Sequence, residues 1–243
     1  MTGIYRLADL NISVTSVGAD VHKLCRDYAT DGAADFSVTT TEEDVNAERE
    51  VSARDDIANG RAVHSYSDGY LETLAVYRKI AEMLPYYDAF LFHGSCVAVD
   101  GKGYLFTAKS GTGKSTHARL WRNLLGDRAV MINDDKPLIR MKDEGIFIYG
   151  TPWDGKHRLS TNTSVPLKAV CMLFRGEKNG ISPASVDDSF AMLLQQIYRP
   201  KDKEAMRKTM ILLDNLKSRV SLWRLYCNME PEAAVISYNA MKG

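Results

Sequence analysis

The sequence has little of what marks secreted, membrane-spanning or nucleic-acid-binding proteins. It contains only four cysteines in 243 residues, and their wide spacing argues against zinc knuckles and redox motifs and favours reduced thiols in a core. Its 31 basic side chains balance 31 acidic ones, so the broad positive field that nucleic-acid binding needs is missing. No apolar run approaches the ~20 residues of a membrane span, and the N-terminus lacks the pattern of a signal peptide. We therefore expect a cytoplasmic protein that has neither nucleic acid nor membrane as a partner.

The pattern of apolar residues divides the chain into two regions. Residues 1–88 predict a small N-terminal α+β region that ends in an amphipathic helix, Tyr70–Leu84, before Pro85. Residues 89–243 predict a second domain in which strands and helices alternate, and the sequence Asp100-Gly101 indicates a hairpin turn within it. The predicted strands are Ala89–Val99, interrupted at His93-Gly94-Ser95, and then Tyr104–Ala108, Ala129–Ile132, Ala169–Phe174 and Val220–Cys227. The predicted helices are Ser115–Leu125, Val186–Ile197, Lys203–Leu216 and Pro231–Met241. This order favours an α/β fold with α+β character.

The strongest chemical signal is the octapeptide Ala108-Lys109-Ser110-Gly111-Thr112-Gly113-Lys114-Ser115, which fits a phosphate-binding loop with alanine in its first position. Gly111 and Gly113 let backbone N–H groups turn toward phosphate oxygens, and the following helix adds its positive N-terminal end. Lys114 provides a point charge for the phosphates, and the Ser115 hydroxyl is a Mg²⁺ ligand. The predicted ligand is ATP with Mg²⁺, and the alternative is a glycine-rich turn without a nucleotide. The predicted nucleotide-binding residues are Ser110, Gly111, Thr112, Gly113, Lys114, Ser115 and Thr116.

Two acidic residues, Asp134 and Asp135, follow the predicted strand Ala129–Ile132. A Mg²⁺–triphosphate site needs an acidic anchor at the end of a neighbouring strand, and a second acid can take the proton of an attacking hydroxyl. The alternative is a solvated turn after a strand. His93 precedes Gly94 beside an apolar run, where it either contacts the γ-phosphate or an acid, or is a structural core histidine.

These residues together resemble the catalytic domain of HPr kinase/phosphorylase, a family that shares its nucleotide-binding fold with phosphoenolpyruvate carboxykinase. The resemblance spans Ala89–Phe174 and is carried by His93-Gly94, Gly103-Tyr104-Leu105-Phe106, Ser110-Gly111-Thr112-Gly113-Lys114-Ser115 and Asp134-Asp135. It implies a mixed β-sheet P-loop domain with flanking helices. It also implies that His93 lies near the transferred phosphate and that Asp134 is the base toward the acceptor hydroxyl. Asp135, together with Ser115, is then associated with the metal.

The chain departs from this family where the substrate would bind. It lacks the second signature of true HPr kinases, which contains glutamate and arginine, and its first 88 residues differ from their regulatory domain, so HPr is not the expected substrate. Residues 149–157 stand in the corresponding place. They offer Trp153 as a flat face, Asp154 as a partner for a hydroxyl or ammonium group, and Lys156 and His157 as charges. The alternative is a surface loop anchored by its tryptophan.

A further candidate is Arg199, which we expect to end a helix before Pro200. An arginine in this place either stabilises charge on the transferring phosphoryl group or only interacts with the helix dipole.

The sequence thus predicts an ATP- and Mg²⁺-dependent kinase with a hydroxyl acceptor on a small molecule, such as serine or a polyol, or on a peptide serine. One alternative is an ATP-binding regulatory protein with little turnover. Another is a carboxykinase-like enzyme acting on an oxo-acid, which would need a second metal site rich in Lys, His and Asp. The sequence makes no prediction of the oligomeric state.

Overall fold

The computed structural model describes residues 1–58 and 60–243, and the side chains of Val186 and Asp188 lie outside the description. The chain forms two compact units, Met1–Met83 and Leu84–Gly243. Within the described residues, every helix is too short or too polar to cross a lipid bilayer.

The first unit packs three helices with a small sheet. Its strands are β1 (Thr2–Leu7), β2 (Leu10–Thr15) and β3 (Phe36–Thr39), and its helices are α1 (Asp20–Leu24), α2 (Glu42–Ala58) and α3 (Asp68–Met83). Strand β2 lies between β1, which is antiparallel to it, and β3, which is parallel. Helix α3 confirms the predicted helix over Tyr70–Leu84 to within two residues at each end.

A buried carboxylate joins the parts of this unit. Glu72 on α3 is 2% exposed, and it accepts hydrogen bonds from the backbone N–H of Val17 at 2.6 Å and of Gly18 at 2.8 Å. The Thr40 hydroxyl donates a third bond at 2.8 Å. Because each donor comes from a different place in the sequence than Glu72, this single side chain fixes α3 against the segments that leave β2 and β3.

The second unit is a mixed α/β structure built on a curled sheet. Its strands are β4 (Ala89–Leu91), β5 (Ser95–Val99), β6 (Lys102–Thr107), β7 (Ala129–Asn133), β8 (Leu138–Lys142), β9 (Gly145–Tyr149), β10 (Ser164–Arg175), β11 (Gly180–Pro183) and β12 (Ser221–Cys227). Its helices are α4 (Lys114–Leu125), α5 (Val186–Leu194), α6 (Lys203–Arg219) and α7 (Glu232–Met241). Among the described residues, the nine strands form one sheet in the order β4-β8-β9-β10-β6-β5-β7, and β12 pairs with both β10 and β11. The mixed sheet and its helices confirm the expected α/β class, while the P-loop type of the fold stays a prediction.

The directions of the strands bring the loop after β6 and the residues after β7 to the same end of this sheet. Strands β6, β10 and β12 are parallel to one another, whereas β5 runs antiparallel to its neighbours β6 and β7. Strands β6 and β7 therefore run in the same direction, and β5 begins at the end of the sheet where these two strands finish. The loop after β6 and the acidic residues after β7 thus lie at the same edge, about 10 Å apart because one strand separates them.

The sheet buries an apolar core on each face, because successive strand residues point to opposite sides. One face packs Leu105 and Val170 with α5 and α6, which contribute Leu193 and Leu213. The opposite face packs Phe106, Cys171 and Leu225 with α4 and α7, which contribute Trp121, Ala234 and Met241. Fully burying one such aliphatic or aromatic side chain contributes about 1.5–3 kcal/mol.

Helix α5 ends at Leu194, three residues before the predicted end at Ile197. The chain instead becomes extended and pairs with the segment between β4 and β5. The His93 N–H donates to the Gln196 carbonyl at 2.7 Å, and the Tyr198 N–H donates to Leu91 at 3.0 Å. These long-range hydrogen bonds take the place of the last helical turn. Local helix propensity alone does not predict them.

Candidate functional site

The loop between β6 and α4 contains two glycines whose backbone adopts a positive φ. Gly111 has φ 77° and Gly113 has φ 122°, a region that side-chain-bearing residues rarely adopt. The Thr112 N–H closes a turn onto the Lys109 carbonyl at 3.2 Å, and the His117 N–H bonds to Gly113 at 2.9 Å. The first N–H groups of α4 have no acceptor within the helix, so they can bind an anion. Ser110 and Gly111 are exposed, while Thr112, Ser115 and Thr116 are half-buried.

Lys114 holds its ammonium group inside this loop. The residue is 9% exposed, and its Nζ donates to the Ala108 carbonyl at 3.3 Å. Burial lowers the pKa of Lys114, and the nearby charges of Asp135 and Asp134 only partly oppose that effect. A buried cation with incomplete compensation is stabilised when an anion binds beside it.

Asp134 is the more buried of the two acids, with 7% exposure. The Ser95 hydroxyl donates to its Oδ1 at 2.7 Å, and the Ser115 side chain lies near the same carboxyl group. Burial raises the pKa of Asp134, with a smaller contribution from Asp135, while Ser95, Ser115 and His157 oppose the rise. The predicted metal ligand Ser115 and the predicted base Asp134 therefore lie near each other, across the strand that separates them.

Asp135 faces His93 at the beginning of β5. The His93 Nε2 lies 3.5 Å from Asp135 Oδ1, and the Lys136 Nζ lies 3.8 Å from Asp135 Oδ2. The Nδ1 of His93 is 3.0 Å from the Gln196 side-chain oxygen, so Nδ1 carries the proton in this bond. Burial and then Lys114 lower the pKa of His93, outweighing Asp135 and Gln196.

Asn133 fixes the turn that carries both acids. Its side chain is fully buried, and its oxygen accepts the N–H groups of Asp135 at 2.8 Å and Lys136 at 2.7 Å. Its amide nitrogen donates to the Thr151 carbonyl at 2.9 Å and lies 3.4 Å from the Trp153 carbonyl. One amide group thus ties the acidic turn to the segment between β9 and β10.

The segment between β9 and β10 folds against the acidic pair. Gly155 has φ 74°, and a Cβ added there would lie 3.1 Å from Asp135 Cβ. Asp154 is 7% exposed, its Oδ2 accepts a bond from Ser160 at 2.8 Å, and its Oδ1 lies 4.0 Å from Arg158 Nη1. Lys156 and His157 are exposed.

Two predicted substrate residues have surroundings that the sequence did not indicate. Trp153 is only 5% exposed, so little of the flat face that the sequence predicts is open to solvent; whether an acceptor contacts this ring stays a prediction. Arg199 does not end a helix, since α5 stops at Leu194 and Arg199 follows the extended residues that pair with β4. Arg199 is exposed, and the described contacts do not bring it to the acidic pair.

The structure adds residues that the sequence did not single out. Ser95 and Gln196 contact Asp134 and His93, respectively, and Arg175 at the end of β10 donates to the Gly111 carbonyl at 2.8 Å. The position of Ser95 directly after His93-Gly94 was a usable signal. Gln196 and Arg175 carried none, because each meets its partner across more than sixty residues of chain.

The donor atoms at this edge fit a magnesium–nucleotide pair. Mg²⁺ prefers oxygen ligands and, in nucleotide sites, is held by one or two carboxylates together with phosphate oxygens. Ser115, Asp134 and Asp135 supply a hydroxyl and two carboxylates beside Lys114. The residues present therefore suit the two ligands that the sequence predicts.

Comparisons with known proteins give a family and a distant structural relation. The structure of the Hpr(Ser) kinase/phosphatase from Coxiella burnetii is similar over 63% of this chain and 99% of that one, at 12% identity and a TM-score of 0.34. Curated proteins give no significant match. The model of one family, described as SynChlorMet cassette protein ScmC, matches residues 70–230. The chain belongs to the ScmC family.

Proposed function

We propose that this protein is an ATP- and Mg²⁺-dependent kinase that transfers the γ-phosphate to a hydroxyl group. The carrying observation is that the loop and the acids lie close together: Asp134 and Asp135 raise the pKa of Lys114 against the effect of its burial, and Ser115 lowers the pKa of Asp134. A phosphate-type loop thus lies beside a buried carboxyl that Ser95 holds by a hydrogen bond of 2.7 Å. Phosphoryl transfer needs this pair of features, because charge on the phosphates must be neutralised while the acceptor loses a proton.

The loop would bind the triphosphate tail. Backbone N–H groups around Gly111 and Gly113, with the first turn of α4, would contact phosphate oxygens, and Lys114 would add its charge. The low exposure of Lys114 strengthens this attraction, since a buried charge is screened less than an exposed one. Ser110, Thr112 and Thr116 are the remaining loop and helix residues proposed to contact the nucleotide.

Ser115 and Asp135 would hold Mg²⁺, which supplies charge neutralisation at the β and γ phosphates when it is bound. Asp134 would accept the proton of the acceptor hydroxyl. A general base works best when its pKa approaches the working pH, and burial moves Asp134 in that direction. His93 would lie near the transferred phosphate, with its ring held by Gln196.

The acceptor would approach along the segment between β9 and β10, which carries Asp154, Lys156 and His157. Since Gly155 packs on Asp135, this segment borders the reacting groups. We propose a free hydroxyl compound, such as serine or a polyol, or a serine on a peptide as acceptor, and cytoplasmic action.

The test is transfer of label from γ-labelled ATP to a panel of hydroxyl metabolites and serine peptides. We expect one class of acceptor to be labelled and Asp134→Asn to lower kcat about 10²–10⁴-fold while Mg–ATP affinity is retained. Asp143→Asn, at the exposed turn between β8 and β9, is the matched control and should behave as wild type. Tight ATP binding without labelling, and without an effect of Asp134→Asn, would contradict the kinase and favour an ATP-binding regulator.

A further inference from the structure

A cavity of about 460 Å³ lies beside the loop, on the face of the sheet covered by α5. Lys109 of the loop forms one wall, and side chains from the carboxyl ends of β10 and β12 form another. The lining residues used below are Phe174, Ala191, Gln196, Arg224 and Tyr226. The volume falls within the range of about 300–1,000 Å³ that is usual for small-molecule sites.

The strand order places the aromatic wall of this cavity and the acidic pair on opposite sides of the loop, while Gln196, which holds His93, lines the cavity on the side toward the acids. The loop follows β6; the acids follow β7, on the side of β5, while the cavity lies toward β10 and β12. If the γ-phosphate faces Asp134, the rest of the nucleotide extends away from Asp134. That direction leads past Lys109 into the cavity.

The cavity offers a flat aromatic surface next to a cation. The rings of Phe174 and Tyr226 are stacked at 5.1 Å with an angle of 26° between their planes. The guanidinium of Arg224 lies 5.9 Å from the centre of the Phe174 ring, and Tyr226 is 48% exposed. Stacking on an aromatic ring, assisted by an arginine, is a general way to bind a nucleobase.

We propose that this cavity binds the purine base of the nucleotide, with the base stacked on Tyr226 and bordered by Arg224. The proposal rests on the proposed function, since the phosphates of the same nucleotide occupy the loop. It assigns to α5 and β12 a role in nucleotide recognition, separate from the chemistry of the acids.

Calorimetry with two probes tests the proposal: Mg–ATP, and Mg–tripolyphosphate, which has the phosphates but no base. Tyr226→Ala should raise the Kd of ATP about 10-fold because one stacking surface is lost, and should leave the Kd of tripolyphosphate within twofold of wild type. Ala191→Trp, which fills the cavity from an exposed position of α5, should weaken ATP in the same selective way. Both substitutions lie at exposed positions, so folding should be retained.

Two controls accompany these variants. Tyr226→Phe keeps the ring and should keep ATP affinity, and Tyr86→Ala removes an exposed tyrosine outside the cavity lining and should change neither affinity. Equal effects on both probes, or an unchanged ATP Kd with a raised KM for the acceptor, would overturn the base site but not the kinase. Failure of wild type to bind either probe would overturn the proposed function itself.

Discussion

The side-chain oxygen of Asn133 accepts a hydrogen bond of 2.8 Å from the backbone N–H of Asp135. Asn133 is the last residue of β7 and is fully buried, so it transmits the position of the strand to the two acids that follow. The same side chain also donates to Thr151. The acidic turn and the proposed acceptor segment therefore share one anchor.

Asn133→Ala should separate turnover from nucleotide binding. The substitution leaves the N–H groups of Asp135 and Lys136 without their acceptor, which costs about 1–3 kcal/mol of unfolding free energy per unsatisfied group. Displacement of the acids should lower kcat about 10²-fold, while Lys114 and the loop keep the Kd of Mg–ATP within a few fold. Urea unfolding, calorimetry and label transfer measure the three quantities. Asn123→Ala, at an exposed position of α4, is the control, and an equal kcat for the two variants would contradict the positioning role.

Ser95→Ala should change the pH dependence of activity. Its hydroxyl lowers the pKa of Asp134 through the bond at 2.7 Å, so its removal should raise that pKa further and move the acid limb of kcat/KM to higher pH. The folded state already holds the Asp134 proton more tightly than the unfolded chain does. Stability contributed by this group is therefore present at low pH and lost as the pH rises through the folded pKa, and Ser95→Ala should enlarge that loss.

The control for Ser95→Ala is Ser160→Ala, which removes a hydroxyl from Asp154 instead. A pH profile of kcat/KM for each variant makes the comparison. An acid limb that stays in place in Ser95→Ala, or that moves equally in both variants, would show that Asp134 is not the group that titrates.

Gly155→Ala should lower activity by more than its loss of stability alone would explain. Alanine at φ 74° costs about 1–2 kcal/mol, and its Cβ would press on Asp135 at 3.1 Å. Gly101→Ala is a matched control, because Gly101 has φ 76° and an added Cβ meets no described atom within 4 Å. Both variants should lose similar unfolding free energy in urea, but only Gly155→Ala should lower kcat/KM, by about 10-fold or more. Equal activities would refute a tight contact between this segment and the acids.

Lys114→Met should weaken the binding of Mg–ATP without lowering the stability of the protein. A methionine removes a buried charge whose burial already lowers its pKa, so the free energy of unfolding should stay equal or rise by about 0.5–2 kcal/mol. Mg–ATP affinity should fall at least 10-fold, because the point charge for the phosphates is lost. Thermal unfolding and calorimetry measure both effects, with Lys102→Met at an exposed strand position as control. Unchanged ATP affinity in Lys114→Met would count decisively against the phosphate loop.

His117 should make the second unit sensitive to acid. It is 2% exposed on α4, its Nε2 lies 3.0 Å from the Ser237 hydroxyl, and burial lowers its pKa to about 4. Since the unfolded pKa is about 6.5, the group contributes stability above about pH 6.5 that is lost as the pH falls toward about 4, by about 3 kcal/mol in total. Urea unfolding of wild type and His117→Gln at several pH values measures this loss. The slope should flatten in His117→Gln and persist in the control, His157→Gln, and equal slopes would be the contrary result.

Local sequence patterns correctly predict the parts of the fold that depend only on residues close together in the chain. The strand, loop and helix around Gly111 and Gly113, the hairpin at Asp100-Gly101 and the helix end at Gly126 follow from backbone preferences that the residues themselves carry. Strand β8 was missed because its sequence, Leu138–Lys142, mixes apolar and basic residues without clear alternation. The early end of α5 was missed because it depends on hydrogen bonds to the segment around His93.

The chemistry of the site was predictable only in part, for a related reason. Lys114, Asp134 and Asp135 stood out because each has a motif or a strand end beside it in the sequence. The hydrogen bonds that hold Asp134 and His93 come from Ser95 and Gln196, which are 39 and 103 residues from these partners. Such pairs arise from strand order, which a single sequence does not state.

The hairpin between β5 and β6 has a consequence for how this family can vary in length. Its two ends contribute Ser95 and the start of the loop, and its turn consists of Asp100 and Gly101, both with positive φ. Side chains alternate along a strand, so one inserted residue in β5 would rotate Ser95 away from Asp134 and leave that carboxyl without its donor. Homologous chains that keep both Asp134 and Ser95 should therefore have no insertion or deletion of an odd number of residues between Ser95 and the turn.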